Sequence, residues 1–268
     1  MNSQTIKISV ITITYNSERT LEDTIKSVIS QDYDNLEYLI IDGGSKDHTL
    51  DIVQKYRDKI AVVVSEPDNG ISDAFNKGIR LASGEIIGII NSDDLLLPGT
   101  LKAVAKAYEE SVDVYRGRTI RWNDVTDVKT RSIPSMRFPA KSIRKRSVSH
   151  QSTFVTKRAY EKYGAYDVNL KYMMDADLLI RLYEAGTQWK YVDADLAVSR
   201  SGGVTDRNSF WSKRKESFAI IRNNNGGVLF AFLHMIWFLI RQSIKKVLLI
   251  FGIDRMWRII YRNKIVHD

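Results

Sequence analysis

Gly84-Glu85-Ile86-Ile87-Gly88-Ile89-Ile90-Asn91-Ser92-Asp93-Asp94 sets an apolar run directly against two adjacent acids. An apolar, β-rich segment this short reads as a central strand of a parallel sheet. Ligands of open α/β sheets bind beyond the carboxyl ends of such strands. Neighbouring carboxylates at that mouth repel each other unless a cation holds them, and Mg²⁺ or Mn²⁺ commonly shares its oxygen ligands with substrate phosphates. The stretch therefore predicts a metal-diphosphate site, although by itself it equally fits a solvated turn or a helix N-cap before Leu95-Leu96-Leu97-Pro98.

The chain upstream reinforces the strand reading. Ile8 to Thr14 is a strand stopped at Tyr15-Asn16-Ser17, and Leu21, Ile25, Val28 and Ile29 recur behind it at helical spacing. Leu36 to Ile41 is a second strand that ends at Asp42-Gly43-Gly44-Ser45, with a helix from Thr49 to Tyr56. Ile60 to Ser65 is a third strand and Asp73 to Leu81 a helix. Strands alternating with helices specify a parallel sheet with right-handed crossovers. Downstream, helices are expected over Pro98–Glu110 and Asp175–Glu184, and strands over Val112–Tyr115, His150–Val155 and Trp189–Val192. The polar stretch between, with Pro134, Pro139 and the cluster Lys141, Arg144, Lys145 and Arg146, reads as an acceptor-side loop or equally as plain solvated surface.

With 268 residues, 44% of them hydrophobic, the chain can bury a real core. The absence of cysteine excludes thiol catalysis, disulfides and thiolate metal sites, and agrees with a reducing cytoplasm. Met1 to Lys7 is polar, without the apolar core of a secretory signal, so a cytoplasmic location is expected. The net charge of +8 is confined to one end. Residues 207–268 hold twelve Lys/Arg against three Asp/Glu, leaving 28 against 29 in residues 1–206. This divides the chain into an α/β catalytic domain, 1–206, and a basic tail, 207–268.

Three strand ends deliver distinct polar groups: Thr14-Tyr15-Asn16, Asp42-Gly43-Gly44-Ser45 and Asn91-Ser92-Asp93-Asp94. Together they predict a shelf for a nucleoside diphosphate. Gly43 and Gly44 let the backbone approach a ligand, and Asp42 offers an acceptor suited to an imide N–H such as that of uracil; a tight strand-helix turn would look the same. The glycine fingerprints of phosphate loops and dinucleotide folds are missing. Thr14 to Ser17 also lacks the Gly-rich, basic triphosphate loop expected of a nucleotidyltransferase.

Read together, these motifs resemble the family 2 inverting glycosyltransferases of bacterial surface-polysaccharide type, which have the GT-A fold, an open, mostly parallel sheet flanked by helices. The resemblance spans roughly residues 6–205 and adds Asp68-Asn69-Gly70-Ile71-Ser72-Asp73-Ala74-Phe75-Asn76-Lys77-Gly78, His150-Gln151 and Asp175-Ala176-Asp177-Leu178 to the strand ends. It implies transfer of a sugar from a nucleotide-sugar, usually a UDP-sugar, to a hydroxyl with inversion. It also implies that Asp42 binds the base, that Thr14, Tyr15, Asn16 and Gly43 line the nucleoside, and that Asp73, Asn76, Lys77, Asn91 and Ser92 contact the nucleotide-sugar. Asp93 would ligate Mn²⁺ or Mg²⁺. Asn91 stands where many relatives carry a first Asp, which Asp94 is expected to offset. The base would be Asp175, with Asp177 the alternative; the Glu that precedes the base in the family is Met174 here. His150 is expected at the acceptor side or in a structural role, Arg181 as an ion-pair partner, and Ser201-Gly202-Gly203-Val204-Thr205 as a loop closing on the donor. A non-catalytic glycan-binding protein with a degenerate site is the rival reading.

In the tail, Val228 to Ile240 is thirteen residues without formal charge, about 20 Å as a helix and too short for a bilayer core of roughly 30 Å. Leu229, Leu233, Ile236, Ile240, Ile244, Val247 and Phe251 form one helical stripe, flanked by Arg241, Lys245, Lys246, Arg255, Arg258 and Arg262, with Trp237 and Trp257. A tail both basic and apolar suits an anionic membrane surface rather than nucleic acid. The alternative is packing on the catalytic domain or on a second subunit in a homo-oligomer. The expectation is therefore a peripheral protein on the cytoplasmic face of the plasma membrane, acting on a glycan or lipid-linked glycan acceptor.

Overall fold

The computed structural model describes residues 6–123, 125–139, 149–200, 210–224, 227–233, 235–237 and 240. Its frame is a nine-stranded sheet flanked by helices. Strands β1 (Ile8–Thr14), β2 (Leu36–Asp42), β3 (Val62–Ser65) and β4 (Ile86–Asn91) pair in parallel. They alternate with α1 (Leu21–Ile29), α2 (Thr49–Lys55) and α3 (Ile71–Leu81), as the alternation of patterns predicts.

Each central strand is buried on both faces, and odd and even residues serve different cores. Val10, Ile40, Ile86 and Ile90 pack with Leu21, Ile25 and Val28 of α1. Ile11, Leu39, Ile87 and Ile89 pack with Phe75 and Ile79 of α3. Complete burial of each such aliphatic side chain contributes roughly 1.5–3 kcal/mol. The register then aligns the strand ends, because Thr14 stands opposite Asp42 and Ile13 opposite Asn91.

The second half of the chain is less regular than its sequence suggests. After β5 (Leu95–Leu96) and α4 (Thr100–Ala107), strands β6 (Val114–Asn123), β7 (Val128–Ser132), β8 (Thr153–Thr156) and β9 (Trp189–Arg200) complete the order β3-β2-β1-β4-β8-β6-β9-β5, with β7 beside β6. The described residues thus make four parallel and four antiparallel pairings. The described part of the expected acceptor-side loop is largely strand. Arg118 and Arg121 disguise it, and Arg118 is held by Asp193 and Asp195 across the β6–β9 pairing. Lys141, Arg144, Lys145, Arg146 and the Ser201–Thr205 loop lie outside the described residues.

Strand β8 meets β4 antiparallel, with Gly88 opposite Phe154. A Cβ on Gly88 would lie 2.4 Å from the Phe154 ring, so only glycine permits this approach. Helices α5 (Lys157–Tyr163) and α6 (Met174–Glu184) follow β8.

Helix α7 (Phe210–Asn223) packs through Ile220 and Ile221 against Ala176, Leu179 and Ile180 of α6, with Ala231 in the same cluster. The stripe beyond turns outward: Leu229 is 72% exposed, Leu233 53% and Ile240 54%. The remaining stripe and its cationic flank, residues 241–268, fall outside the described residues. Among the described residues no helix is long and apolar enough to cross a membrane.

Candidate active site

The aligned ends of β1, β2 and β4 form one rim. Thr14 Oγ1 and Asn91 Oδ1 are buried there, and neither has a hydrogen-bond partner among the described residues. Buried polar atoms are nearly always paired, so such exceptions ask for an explanation. The loops above are fastened to each other. Asn16, in a left-handed conformation (φ 48°), donates its N–H to Ser45 Oγ (2.8 Å) and accepts the Lys46 N–H on Oδ1 (2.8 Å). Ser17 and Ser92 share a hydroxyl hydrogen bond of 2.7 Å. Tyr15 is 61% exposed beside this frame.

Asp42 does not offer a free acceptor. It is fully buried, and its carboxylate accepts the N–H groups of Gly44 (3.1 Å) and Ser45 (3.0 Å) and the hydroxyls of Ser45 (2.5 Å) and Ser65 (2.7 Å). It organises the turn. The carboxylate facing Gly43 belongs to Asp68: a Cβ on Gly43 would lie 2.5 Å from Asp68 Oδ2 and 3.5 Å from the Tyr15 ring. Asp68 Oδ1 accepts the Gly70 N–H (2.9 Å). Asp68 lies inside a motif quoted above, but its approach to Gly43 depends on a loop conformation that the sequence does not reveal.

The expected contacts on α3 are spent on the protein itself. Asn76 donates to Tyr166 O (2.8 Å) and accepts the Tyr166 N–H (2.9 Å). Lys77 donates to Pro67 O (2.9 Å) and pairs with Glu66 (3.0 Å). Asp73 accepts the Asn69 N–H (3.0 Å). These three residues build the loop that carries Asp68 and dock α3, so the expected nucleotide-sugar contacts compete with these bonds.

The two acids at the end of β4 are unequal. Asp94 is 2% exposed; it accepts from Gln151 Nε2 (2.7 Å) and from the Arg200 N–H (2.9 Å). Burial and the Asp93 charge push its carboxyl up to about 6, against the opposing effect of Gln151. Such a group ties the loop after β4 to the His150–Ser152 turn before β8 and to the end of β9, and the expected metal-ligand role for Asp94 competes with these bonds. Asp93 is only partly buried, burial raises its carboxyl, and no other side chain among the described residues hydrogen-bonds it. Among the described residues no three metal-ligating side chains converge. Mg²⁺ and Mn²⁺ need no such cage, since one or two carboxylates suffice when phosphate supplies further oxygens. The half-open Asp93 carboxylate and the unpartnered Asn91 Oδ1 fit that donor set.

Asp175 opens α6 on the far side of His150. Its Oδ2 lies 2.9 Å from His150 Nδ1, while Oδ1 is buried without a partner among the described residues. Phe75 packs on the imidazole, with ring centroids 5.4 Å apart. Burial opposes a charge on His150, but Asp175, Asp94 and Asp93 outweigh it and raise the imidazole above its ordinary range. Asp177, the alternative base, is engaged by Arg181 Nε (2.7 Å) and Asn224 Nδ2 (3.3 Å), which leaves Asp175 as the acid at the crevice. Arg181 is the ion-pair partner its sequence position suggested.

Two further groups escaped the sequence reading. Arg116, fully buried, donates from Nε to Thr153 Oγ1 (2.9 Å) and stands 5.0 Å over the Phe138 ring. Burial lowers its guanidinium to about 9, against the pull of Asp175. Glu216 of α7 accepts the N–H groups of Lys171 (3.0 Å), Tyr172 (2.9 Å) and Met173 (2.8 Å), the segment leading into α6.

Comparison with known proteins agrees with this geometry. The family model described as glycosyl transferase family 2 matches residues 9–163. An uncharacterized glycosyltransferase of Rickettsia typhi is 29% identical over 192 residues, 66% of this chain and 58% of that protein. A PGL/p-HBAD biosynthesis glycosyltransferase of Mycobacterium bovis is 28% identical over 187 residues, 65% of this chain and 69% of the relative. This chain thus spans about three fifths of the length of the Rickettsia protein. The fold is similar to S. aureus TarS, residues 1–349, in complex with UDP-GlcNAc: TM-score 0.65, 21% identity, 84% of this chain and 69% of that one. It is also similar to the mannosyltransferase PcManGT of Pyrobaculum calidifontis in complex with GDP-Man and Mn²⁺: TM-score 0.61, 18% identity, 87% of this chain and 70% of that one. At these identities the structural likeness is one of fold.

Proposed function

Because the chain belongs to glycosyl transferase family 2, we propose that it transfers a hexosyl or N-acetylhexosaminyl group from a UDP-sugar to an acceptor hydroxyl with inversion, on a glycan or lipid-linked glycan of a cell-surface polysaccharide. The observation that carries this reading is the placement of Asp93, just beyond β4 beside the unpartnered Asn91 Oδ1, together with Asp175, at the start of α6 and 2.9 Å from His150 Nδ1. That arrangement supports a donor diphosphate at the β1–β2–β4 rim and an acceptor hydroxyl near Asp175.

Asp68, Gly43 and Tyr15 would receive the nucleoside, with the Asp42 turn holding Gly43 in place. Asp93 would hold Mn²⁺ or Mg²⁺, which when bound neutralises charge on the departing diphosphate. Asp175 accepts the proton of the attacking hydroxyl, a role that typically contributes about 10²–10⁴-fold. The exposed apolar stripe from Leu229 to Ile240 supports peripheral attachment to the cytoplasmic face of an anionic membrane, with residues 207–268 as the attaching segment. A homo-oligomer through the same stripe is the competing use.

Release of free UDP from a panel of UDP-sugars, with Mn²⁺ or Mg²⁺, tests the reading. Metal-dependent release from one donor, lost in Asp93→Ala, is expected. If calorimetry shows that no UDP-sugar binds to the wild-type protein, the reading is wrong.

A further inference from the structure

We infer that His150 is the positioning residue for Asp175: its imidazole fixes one carboxylate oxygen and leaves the other unpaired to take the acceptor's proton. This rests on the assignment of Asp175 as base and extends it to a second residue.

An ionised carboxylate only accepts hydrogen bonds, so the 2.9 Å contact requires the proton on His150 Nδ1 and the acceptor role on Asp175 Oδ2. The side chains of both residues are largely buried, at 12% and 22% exposure. The Nδ1–H donor locks the rotation of the carboxylate. It leaves Oδ1, buried and without a partner among the described residues, as the basic atom.

The imidazole is held by packing on its face, while its Nε2 is buried without a partner among the described residues. Phe75 packs on it, and it borders a small cavity together with Asp175, Ile89, Tyr160, Tyr166 and Leu178. The charged and titratable groups around the pair are Asp93 and Asp94 at the end of β4, Arg116 on β6, Tyr160 on α5 and Tyr166 after it. In the transfer step the acceptor O–H bond breaks and its proton goes to Asp175 Oδ1. The acceptor oxygen then bonds the anomeric carbon, and the electron pair of the breaking carbon–oxygen bond leaves with the diphosphate. His150 keeps its proton throughout.

The test uses the full chain and the variants His150→Ala, His150→Asn and Asp175→Ala. UDP binding is followed by calorimetry, UDP release from the UDP-sugar panel as a function of pH, and the His150 ring by nitrogen NMR. The expected result is UDP affinity within about twofold of wild type, with release falling about tenfold to a hundredfold in His150→Ala. The acid limb of the pH profile should move to higher pH, and His150→Asn, whose amide N–H sits near the lost Nδ1–H, should recover most of the rate. The Nδ1–H tautomer should be lost in Asp175→Ala. An unchanged rate and profile in His150→Ala overturns the inference, as does a His150 tautomer indifferent to Asp175→Ala. The NMR arm decides the pairing even where UDP fails to bind, so failure of the donor assignment registers separately.

Discussion

Glu216 caps the approach to Met173, the residue before α6, from a different helix: its carboxylate accepts the Met173 N–H at 2.8 Å and the two preceding N–H groups as well. Charged hydrogen bonds at a helix N-terminus are among the stronger ones. Helix α7 therefore supports the turn that presents Asp175.

Glu216→Ala is expected to destabilise the protein by about 2 kcal/mol, the range of a lost charged cap. UDP release should fall more than UDP affinity, because the donor rim is remote in sequence from α6. Thermal unfolding and calorimetry on the same sample check both; an unchanged melting temperature would show that the three N–H groups find other partners.

Gly43→Ala should weaken UDP binding without unfolding the chain, because its Cβ displaces Asp68. Asp68→Ala is expected to cost about tenfold in UDP affinity, or about 1.4 kcal/mol. Asp42→Ala removes the acceptor for four donors and should act on stability instead, by about 3 kcal/mol or more. Calorimetry beside urea titrations separates the two aspartates, and equal effects on both readouts would refute the division.

Glu37 supplies a pH signature. Burial pushes its carboxyl up, but hydrogen bonds from Ser83, Ser9 and Lys7 outweigh this and bring it down to about 2. A lowered folded-state value means stability that is present above the ordinary carboxylate range, about 4.5, and is lost as pH falls toward 2. Denaturant titrations should show a decline of roughly 1–3 kcal/mol over that window. In Glu37→Gln the decline should be shallower by the same amount.

Leu229→Asp combined with Ile236→Asp should leave the melting temperature unchanged, since both side chains are exposed. Sedimentation with anionic liposomes should drop at least tenfold, and wild-type binding should weaken with salt. Liposome binding that survives the double substitution would remove the stripe from the membrane proposal.

The parallel half of the fold was legible because each of its strands and helices announces itself by apolar period and by the polar residue that ends it, as at Thr14, Asp42 and Asn91. The start of β6 was legible at Val112–Tyr115, but its continuation and β7 were hidden by basic residues. Arg116 reads as a solvent-facing residue, and tertiary partners such as Thr153, the Ser135 carbonyl and the Phe138 ring make its burial tolerable. The candidate acids were found by position, but their division of labour was not. Asp94 meets Arg200 across 106 residues and Asn76 meets Tyr166 across 90, so whether either side chain is free is decided far along the chain.

Where Gly88 faces Phe154, two strands of opposite direction share one register. A slip of one residue there would turn every side chain of β8 to the other face and swing the His150 turn away from Asp175. The β6–β7 hairpin ends at the Asn123–Val128 pair, one residue past the last β6–β9 pair among the described residues, Trp122–Arg200. The two ends of β6–β8 thus tolerate change unequally: length added beyond the Asn123–Val128 pair leaves the sheet register alone, while any change at the β4–β8 seam must keep it.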